Sequence, residues 1–150
     1  MKLVHNGIEF GMLQAIAEGF DLLTNYHERL DIGEVLECWR KGSVIRSWLV
    51  DLLAEAYKAD PGMEKPSSYI EDTGEVNWLV ADALQMEVPA PVIAQPVMQL
   101  FALRDQRKNW ARAIIMMRHG FGGHPYGPEE NVARERRESR VGDIFRPGGK

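Results

Sequence analysis

Apolar residues recur at three- and four-residue intervals along most of this chain, and the strict alternation of a half-buried strand is scarce. Val4, Ile8, Met12 and Ile16 form one such stripe, and Leu13, Ile16, Ala17, Phe20 and Leu23 continue a buried side. Together they predict a long first helix over Leu3–Leu30. Gly7, Gly11 and Gly19 lie inside it, although each costs about 1 kcal/mol relative to alanine in a helix interior. Such residues are tolerated where another backbone or a ligand must come close.

Asp31, with Glu34 three residues on, has the pattern of a capping box and predicts a helix over Ile32–Arg40 that ends near Gly42. Ser43 then reads as the cap of a third helix reaching Lys58, stopped by Asp60-Pro61-Gly62, and the loop continues through Lys65-Pro66-Ser67-Ser68. A helix over Asn77–Gln85 follows. Val88-Pro89-Ala90-Pro91 starts another with prolines in its first turn, and Pro96 should kink or restart it. The last strong helix is predicted over Asp105–Arg118, with Trp110, Ala113, Ile114 and Met117 on one side and a stop at His119-Gly120. The pattern is all-α: a single helical domain of six or seven helices over residues 1–127, the first longest, and a polar tail over 128–150. In the tail, Pro128-Glu129-Glu130 can open a helix that the charges of Arg134 to Arg140 continue with i,i+4 pairs, lying in solvent or on a partner.

Composition narrows the function classes. The 150 residues are 45% hydrophobic and 27% charged, with net charge −4, so a global basic footprint for nucleic acid is lacking. The tail's basic cluster lacks interleaved aromatics. The single cysteine, Cys38, excludes an intrachain disulfide and a cysteine zinc cluster, and in the run Val35-Leu36-Glu37-Cys38-Trp39 it reads as a packed thiol. His5, His27, His119 and His124 have no metal-ligand spacing, and there is no Gly-x-Ser-x-Gly elbow. With no membrane-length apolar run and no signal-peptide pattern, a cytoplasmic protein is expected.

The chemistry concentrates in the first ten residues. Lys2, His5, Asn6 and Glu9 are spaced i, i+3, i+4 and i+7. From Lys2 to Glu9 a helix turns about 700°, returning the side chain to within about 20° of its start. An amine, an imidazole, an amide and a carboxylate on one rail suit proton transfer on a small polar substrate. The same spacing is also that of the solvated face of an ordinary amphipathic helix.

Lys2-Leu3-Val4-His5-Asn6-Gly7-Ile8-Glu9-Phe10-Gly11-Met12 resembles the motif that opens the helical half of the decarboxylating, NADP-dependent 6-phosphogluconate dehydrogenases. The resemblance implies that Lys2 takes the proton of the substrate's C3 hydroxyl and that Glu9 protonates the carbon freed by decarboxylation. It implies that His5 and Asn6 hydrogen-bond the substrate, with Asn6 also beside the nicotinamide. Trp39 to Leu49 and Val88 to Ala94 resemble the family as well. Arg118-His119-Gly120-Phe121-Gly122-Gly123-His124-Pro125-Tyr126 resembles the end of its helical domain, where an arginine and a histidine six apart reach the partner subunit's site. Those positions are Arg118 and His124, which implies a homodimer. The family carries its nucleotide on an N-terminal Rossmann domain. This sequence has no Gly-x-Gly-x-x-Gly after a strand and begins just inside the family's second domain, so that domain is expected to be absent.

The resemblance also exposes departures. Asp72-Thr73-Gly74-Glu75-Val76-Asn77-Trp78-Leu79 resembles the family's substrate loop, but Asn77 stands where a basic residue is usual and Leu79 where a threonine is. Phe10 replaces a usual tyrosine, and Leu100 aligns with an arginine that binds phosphate; Arg104, one turn later, is its candidate substitute. The implied ligand is therefore a sugar phosphate or another hydroxy acid. The implied function is the helical, dimer-forming domain of a 6-phosphogluconate dehydrogenase-like enzyme. A different β-hydroxyacid dehydrogenase and a non-catalytic dimerisation remnant are the alternatives.

Overall fold

The computed structural model describes residues 1–26, 28–130, 132 and 134. Its elements are α1 (Lys2–Thr24), α2 (Ile32–Gly42), α3 (Trp48–Ala59), α4 (Glu75–Gln85), α5 (Pro91–Arg104) and α6 (Asn109–Gly122), and no strand occurs among the described residues. The all-α expectation therefore holds. The chain forms two compact units, the first being Met1–Arg104 and the second beginning at Asp105. Most of the tail helix expected beyond Pro128, and His27, lie outside the described residues.

Within the first unit, helix ends follow local hydrogen-bond chemistry. Asp31 caps α2 by accepting the Glu34 N–H at 3.0 Å, as its sequence position predicts. The first helix stops at Thr24, six residues before the expected Leu30. There the Asp21 carbonyl accepts from Thr24 Oγ1 (2.8 Å), the Asn25 side-chain amide (2.9 Å) and the Asn25 N–H (3.1 Å), which closes the last turn. Ser43 is not the cap of α3; its Oγ closes a short turn onto Ile45 N–H, and Ser47 caps α3 through Val50 N–H. Helix α4 begins two residues before the expected Asn77, entered through Gly74 at φ 81°, a left-handed conformation that glycine adopts without a Cβ penalty. Helix α5 runs through Pro96 as one element instead of restarting.

The core has two parts. Phe20 of α1 packs with Ile32, Leu36 and Ala54 of α2 and α3, flanked by Tyr57, whose ring meets Phe20 edge-on at 5.6 Å. Arg40 ties α2 to α3 outside this core, with contacts of 3.1 Å to Asp51 and to Glu55 and a further 3.1 Å contact to Glu37 in its own helix. Cys38, on the opposite side of α2, is exposed rather than packed. The other part buries Val76 and Ala83 of α4 and Val97 and Leu100 of α5, and both helices pack on α1.

The face that α1 turns to α4 and α5 differs from the one its apolar stripe suggests. Val4, Ile8 and Met12 are exposed, and Gly7 is buried instead. A Cβ at Gly7 would overlap Leu79 Cδ2 and sit 2.9 Å from Ile93 Cγ2. One turn on, a Cβ at Gly11 would lie 3.7 Å from the Val92 carbonyl oxygen. That carbonyl is the one deprived of its helical donor by Pro96. Gly7 thus lets α4 and α5 approach α1 closely, whereas a Cβ at Gly11 would make ordinary van der Waals contact.

In the second unit, α6 is displaced four residues from its predicted span at both ends. Asp105 Oδ1 accepts the N–H groups of Arg107 (3.1 Å) and Lys108 (3.0 Å), forming a turn in place of a first helical turn. The far end continues past Gly120 to a left-handed Gly123 (φ 63°), whose N–H reaches the His119 carbonyl at 2.9 Å. The expected apolar side is real as a pattern, but Trp110, Ile114 and Met117 are exposed.

The close approach makes a paired prediction. Gly7→Ala gains helix propensity yet should destabilise the chain by about 1–3 kcal/mol through overpacking. Gly19→Ala, where an added Cβ meets nothing within 4 Å, should stabilise by up to about 1 kcal/mol. Urea unfolding of the two variants checks the opposite signs.

Candidate functional site

Helix α1 does place Lys2, His5, Asn6 and Glu9 along one side, and the structure adds a partner that the sequence reading did not assign. Glu75, the first residue of α4, faces them: its Oε1 lies 3.9 Å from Lys2 Nζ and its Oε2 accepts a short hydrogen bond from Asn6 Nδ2. At the other end, His5 Nδ1 is 3.4 Å from Asn6 Oδ1 and 3.8 Å from Glu9 Oε2. The line runs Lys2–Glu75–Asn6–His5–Glu9. Lys2 and His5 are exposed, while Asn6 and Glu9 are half-buried, so the rail is open to a ligand on one side and anchored on the other.

The close packing at Gly7 brings the two helix starts together. Leu79 is one turn into α4, and its contact with Gly7 sets the start of α4 beside the first turn of α1. The position that resembles a substrate-loop threonine is therefore a packing residue here.

The loop before α4 is held by Asp72. Its carboxylate accepts from Gly74 N–H (2.9 Å), Asn77 Nδ2 (3.3 Å) and Arg104 Nη2 (3.0 Å), and its side chain is only 4% exposed. The Gly74 hydrogen bond, then those of Asn77 and Arg104, hold the Asp72 carboxyl below the usual carboxylate range against the opposing effect of burial. This arrangement also explains an orphan. Asn77 Oδ1 is buried without a hydrogen-bond partner, because turning the amide over would press that oxygen against the Asp72 carboxylate.

The other departures also serve packing or pairing. Leu100 is buried at 7% exposure, Phe10 is half-buried, and Arg104 lies over the Phe101 ring while it pairs with Asp72. Arg104 therefore has one guanidinium nitrogen engaged in holding the loop.

In the second unit, Arg118 and His124 are brought together, with Arg118 Nη2 3.4 Å from His124 Nδ1. His119, where the sequence predicts a helix stop, braces the turn: its Nδ1 donates to the His124 carbonyl at 2.8 Å and its ring stacks on Tyr126 at 4.2 Å. The His124 ring lies against Gly122, where a Cβ would come within 2.9 Å of it. Arg118, His124 and Pro125 line a hollow of about 220 Å³.

Glu75 carried a readable sign, since an acidic residue in the first turn of a helix beside a lysine-bearing helix start suits both helix dipole and ion pair. The sequence had no means of pairing positions 69 residues apart. A larger hollow, about 830 Å³, is lined by Arg29, Asp31, Glu34, Tyr57 and Lys58. None of the residues expected to act lines it. Among the described residues there is no group of His, Cys, Asp and Glu that would hold a metal ion, and no helix is long and apolar enough to cross a membrane.

Comparison with known proteins connects this geometry to one family. The family model described as 6-phosphogluconate dehydrogenase, C-terminal domain, matches residues 1–119. A candidate 6-phosphogluconate dehydrogenase of Bacillus subtilis, YqeC, is 36% identical over 124 residues, 83% of this chain and 42% of its own length. The NAD(+)-dependent decarboxylating 6-phosphogluconate dehydrogenase of Haloferax volcanii is 36% identical over 125 residues, again 83% of this chain and 42% of its own. The decarboxylating 6-phosphogluconate dehydrogenase 2 of Saccharomyces cerevisiae is 31% identical over 123 residues, covering 76% of this chain and 25% of its own. The chain thus spans less than half the length of these relatives.

The Asp72 cluster predicts a pH-dependent stability. A carboxyl whose folded pKa is depressed contributes stability that is complete above its unfolded value, ordinarily 3.8, and lost as pH falls through the lower folded value. Asp72→Asn should destabilise the chain by roughly 1–3 kcal/mol at neutral pH. The gap between wild type and variant should close in strongly acid solution. Urea unfolding across that pH range measures it.

Proposed function

The chain belongs to the 6-phosphogluconate dehydrogenase family through that family's C-terminal domain, and from that premise we propose that it is the substrate-binding, dimer-forming half of an enzyme that oxidatively decarboxylates 6-phosphogluconate to ribulose 5-phosphate. The observation that carries this reading is the rail itself: Lys2, His5, Asn6 and Glu9 line one side of α1, joined by contacts through Glu75 and one another.

In this reading Lys2 takes the proton of the C3 hydroxyl and Glu9 returns a proton to the carbon that loses CO2. The two stand two turns apart on one side of a rigid helix, so their long side chains converge on neighbouring atoms, the C3 hydroxyl and the adjacent carbon freed of CO2. His5 and Asn6 bind hydroxyl groups between them. The nicotinamide, when bound, supplies the hydride acceptor. Asn6 fits its neighbourhood as a half-buried amide with fixed orientation, and the nucleotide's remaining contacts belong to a Rossmann domain outside residues 1–150. We assign NADP as that cofactor; the name of the Haloferax relative makes NAD the alternative.

Arg118 and His124 are the phosphate ligands, acting on the partner subunit's site, since a guanidinium binds phosphate bidentately and an imidazole adds a donor. A homodimer follows, and it would cover the exposed Trp110, Met117 and Phe121 of α6. Residues 1–127 are then the helical domain and 128–150 a polar tail, in solvent or on the partner. A second reading, a β-hydroxyacid dehydrogenase acting on a different hydroxy acid, is favoured by one observation. Leu100 is buried in the core at the position of the family's phosphate arginine.

Calorimetry with 6-phosphogluconate, and gluconate as control, separates these readings. The first predicts binding of the phosphorylated ligand alone, weakened about tenfold or more by Arg118→Ala, the value of a lost charged hydrogen bond of about 1.5–3 kcal/mol. Equal binding of both ligands would favour the second reading. Failure of both, with an intact dimer, would leave a substrate other than 6-phosphogluconate or a dimerisation remnant. The isolated chain should not reduce NADP, and detectable reduction by the pure protein would refute its dependence on a nucleotide domain.

A further inference from the structure

The Asn6 side chain is pinned between two groups of different character. On one side stands the Glu75 carboxylate, which when ionised only accepts hydrogen bonds. The amide must therefore present its NH2 to Glu75, because the flipped rotamer would oppose oxygen to carboxylate. Its carbonyl oxygen then faces His5 Nδ1 at 3.4 Å. An oxygen in that place accepts, so in the neutral ring Nδ1 carries the proton and Nε2 is a bare acceptor. A solvated histidine side chain favours the opposite tautomer.

We propose that Glu75 is a positioning residue that sets the hydrogen-bond polarity of the rail: it orients the Asn6 amide and through it selects the Nδ1–H tautomer of His5. The consequence is specific. His5 offers a ligand an acceptor at Nε2, suited to a substrate hydroxyl, rather than a donor suited to a carboxylate or phosphate. Lys2 stays exposed, with its Nζ 3.9 Å from Glu75 Oε1 on the side of α1 that faces the start of α4. The meaning of this for catalysis rests on the dehydrogenase reading; the polarity itself rests on the contacts alone.

Glu9 Oε2, 3.8 Å from the same nitrogen, also favours a proton on Nδ1, so the test must separate the two carboxylates. Nitrogen NMR of the full chain, well above the imidazole pKa of about 6.5, reports the tautomer of His5, assigned by loss of its signals in His5→Gln. Wild type, Glu75→Gln, Glu9→Gln and the double variant are compared, with thermal unfolding as the check on folding. The proposal expects the Nδ1–H tautomer as the majority in wild type. Glu75→Gln should shift the Asn6 side-chain NH2 protons upfield and raise the Nε2–H population severalfold, to the majority in the Glu9→Gln background. Asn6→Ala, which cuts the relay but spares both carboxylates, should raise that population as Glu75→Gln does. An Nε2–H majority in wild type would overturn the proposal. So would Asn6 protons and a His5 tautomer that ignore Glu75→Gln in both backgrounds. Neither outcome depends on whether 6-phosphogluconate binds.

Discussion

The close approach of α1 to α4 and α5 at Gly7 is the constraint from which the site follows. A hydrogen in place of a side chain lets Leu79 and Ile93 reach the helix backbone. That contact lies between Asn6 and Ile8, in the same two turns that carry the polar rail. Because Leu79 follows Glu75 by one turn, seating Leu79 on Gly7 delivers Glu75 to Lys2 and Asn6. The helix-propensity cost of a glycine here is offset by this packing, and the packing is what makes an exposed polar stripe into an ordered one.

Asp72 in the loop before α4 and Glu75 at the helix's first position take different tasks. Asp72 turns inward, where Gly74, Asn77 and Arg104 satisfy it and keep it ionised; it fixes the loop. Glu75 turns toward α1 and engages the groups that chemistry would use. A buried acid without partners would be expensive, and a loop without the acid would leave Gly74 N–H and the Arg104 guanidinium without this acceptor. The anchoring of Asp72 is thus a condition for the placement of Glu75.

Much of this was legible in the chain. Helical periodicity, the Asp31 cap and the Asp60-Pro61-Gly62 stop all gave correct elements, because each depends on chemistry within a few residues. The opening motif pointed to the family and to the rail. What failed depended on distant partners or on local competition. The Val4–Ile8–Met12 stripe looked like a core face, but glycine, invisible to a count of apolar residues, supplies the face that is buried. Ser43 and Ser47 are both good caps, and only the geometry of the turn chose between them. Asp105 looked like a helix start and is instead a turn that moves α6 four residues on. Glu75 carries no role legible in its own segment, since its partners lie on another helix.

The proposed function requires a ligand to meet this chain on the α1 rail and at the start of α4. Residue-by-residue NMR titration of the chain with 6-phosphogluconate tests it most directly. The account predicts shifts at Lys2, His5, Asn6, Glu9 and Glu75 and quiet amides around the larger hollow at Arg29, Asp31 and Lys58. Shifts confined to that hollow, with the rail unmoved, would contradict it.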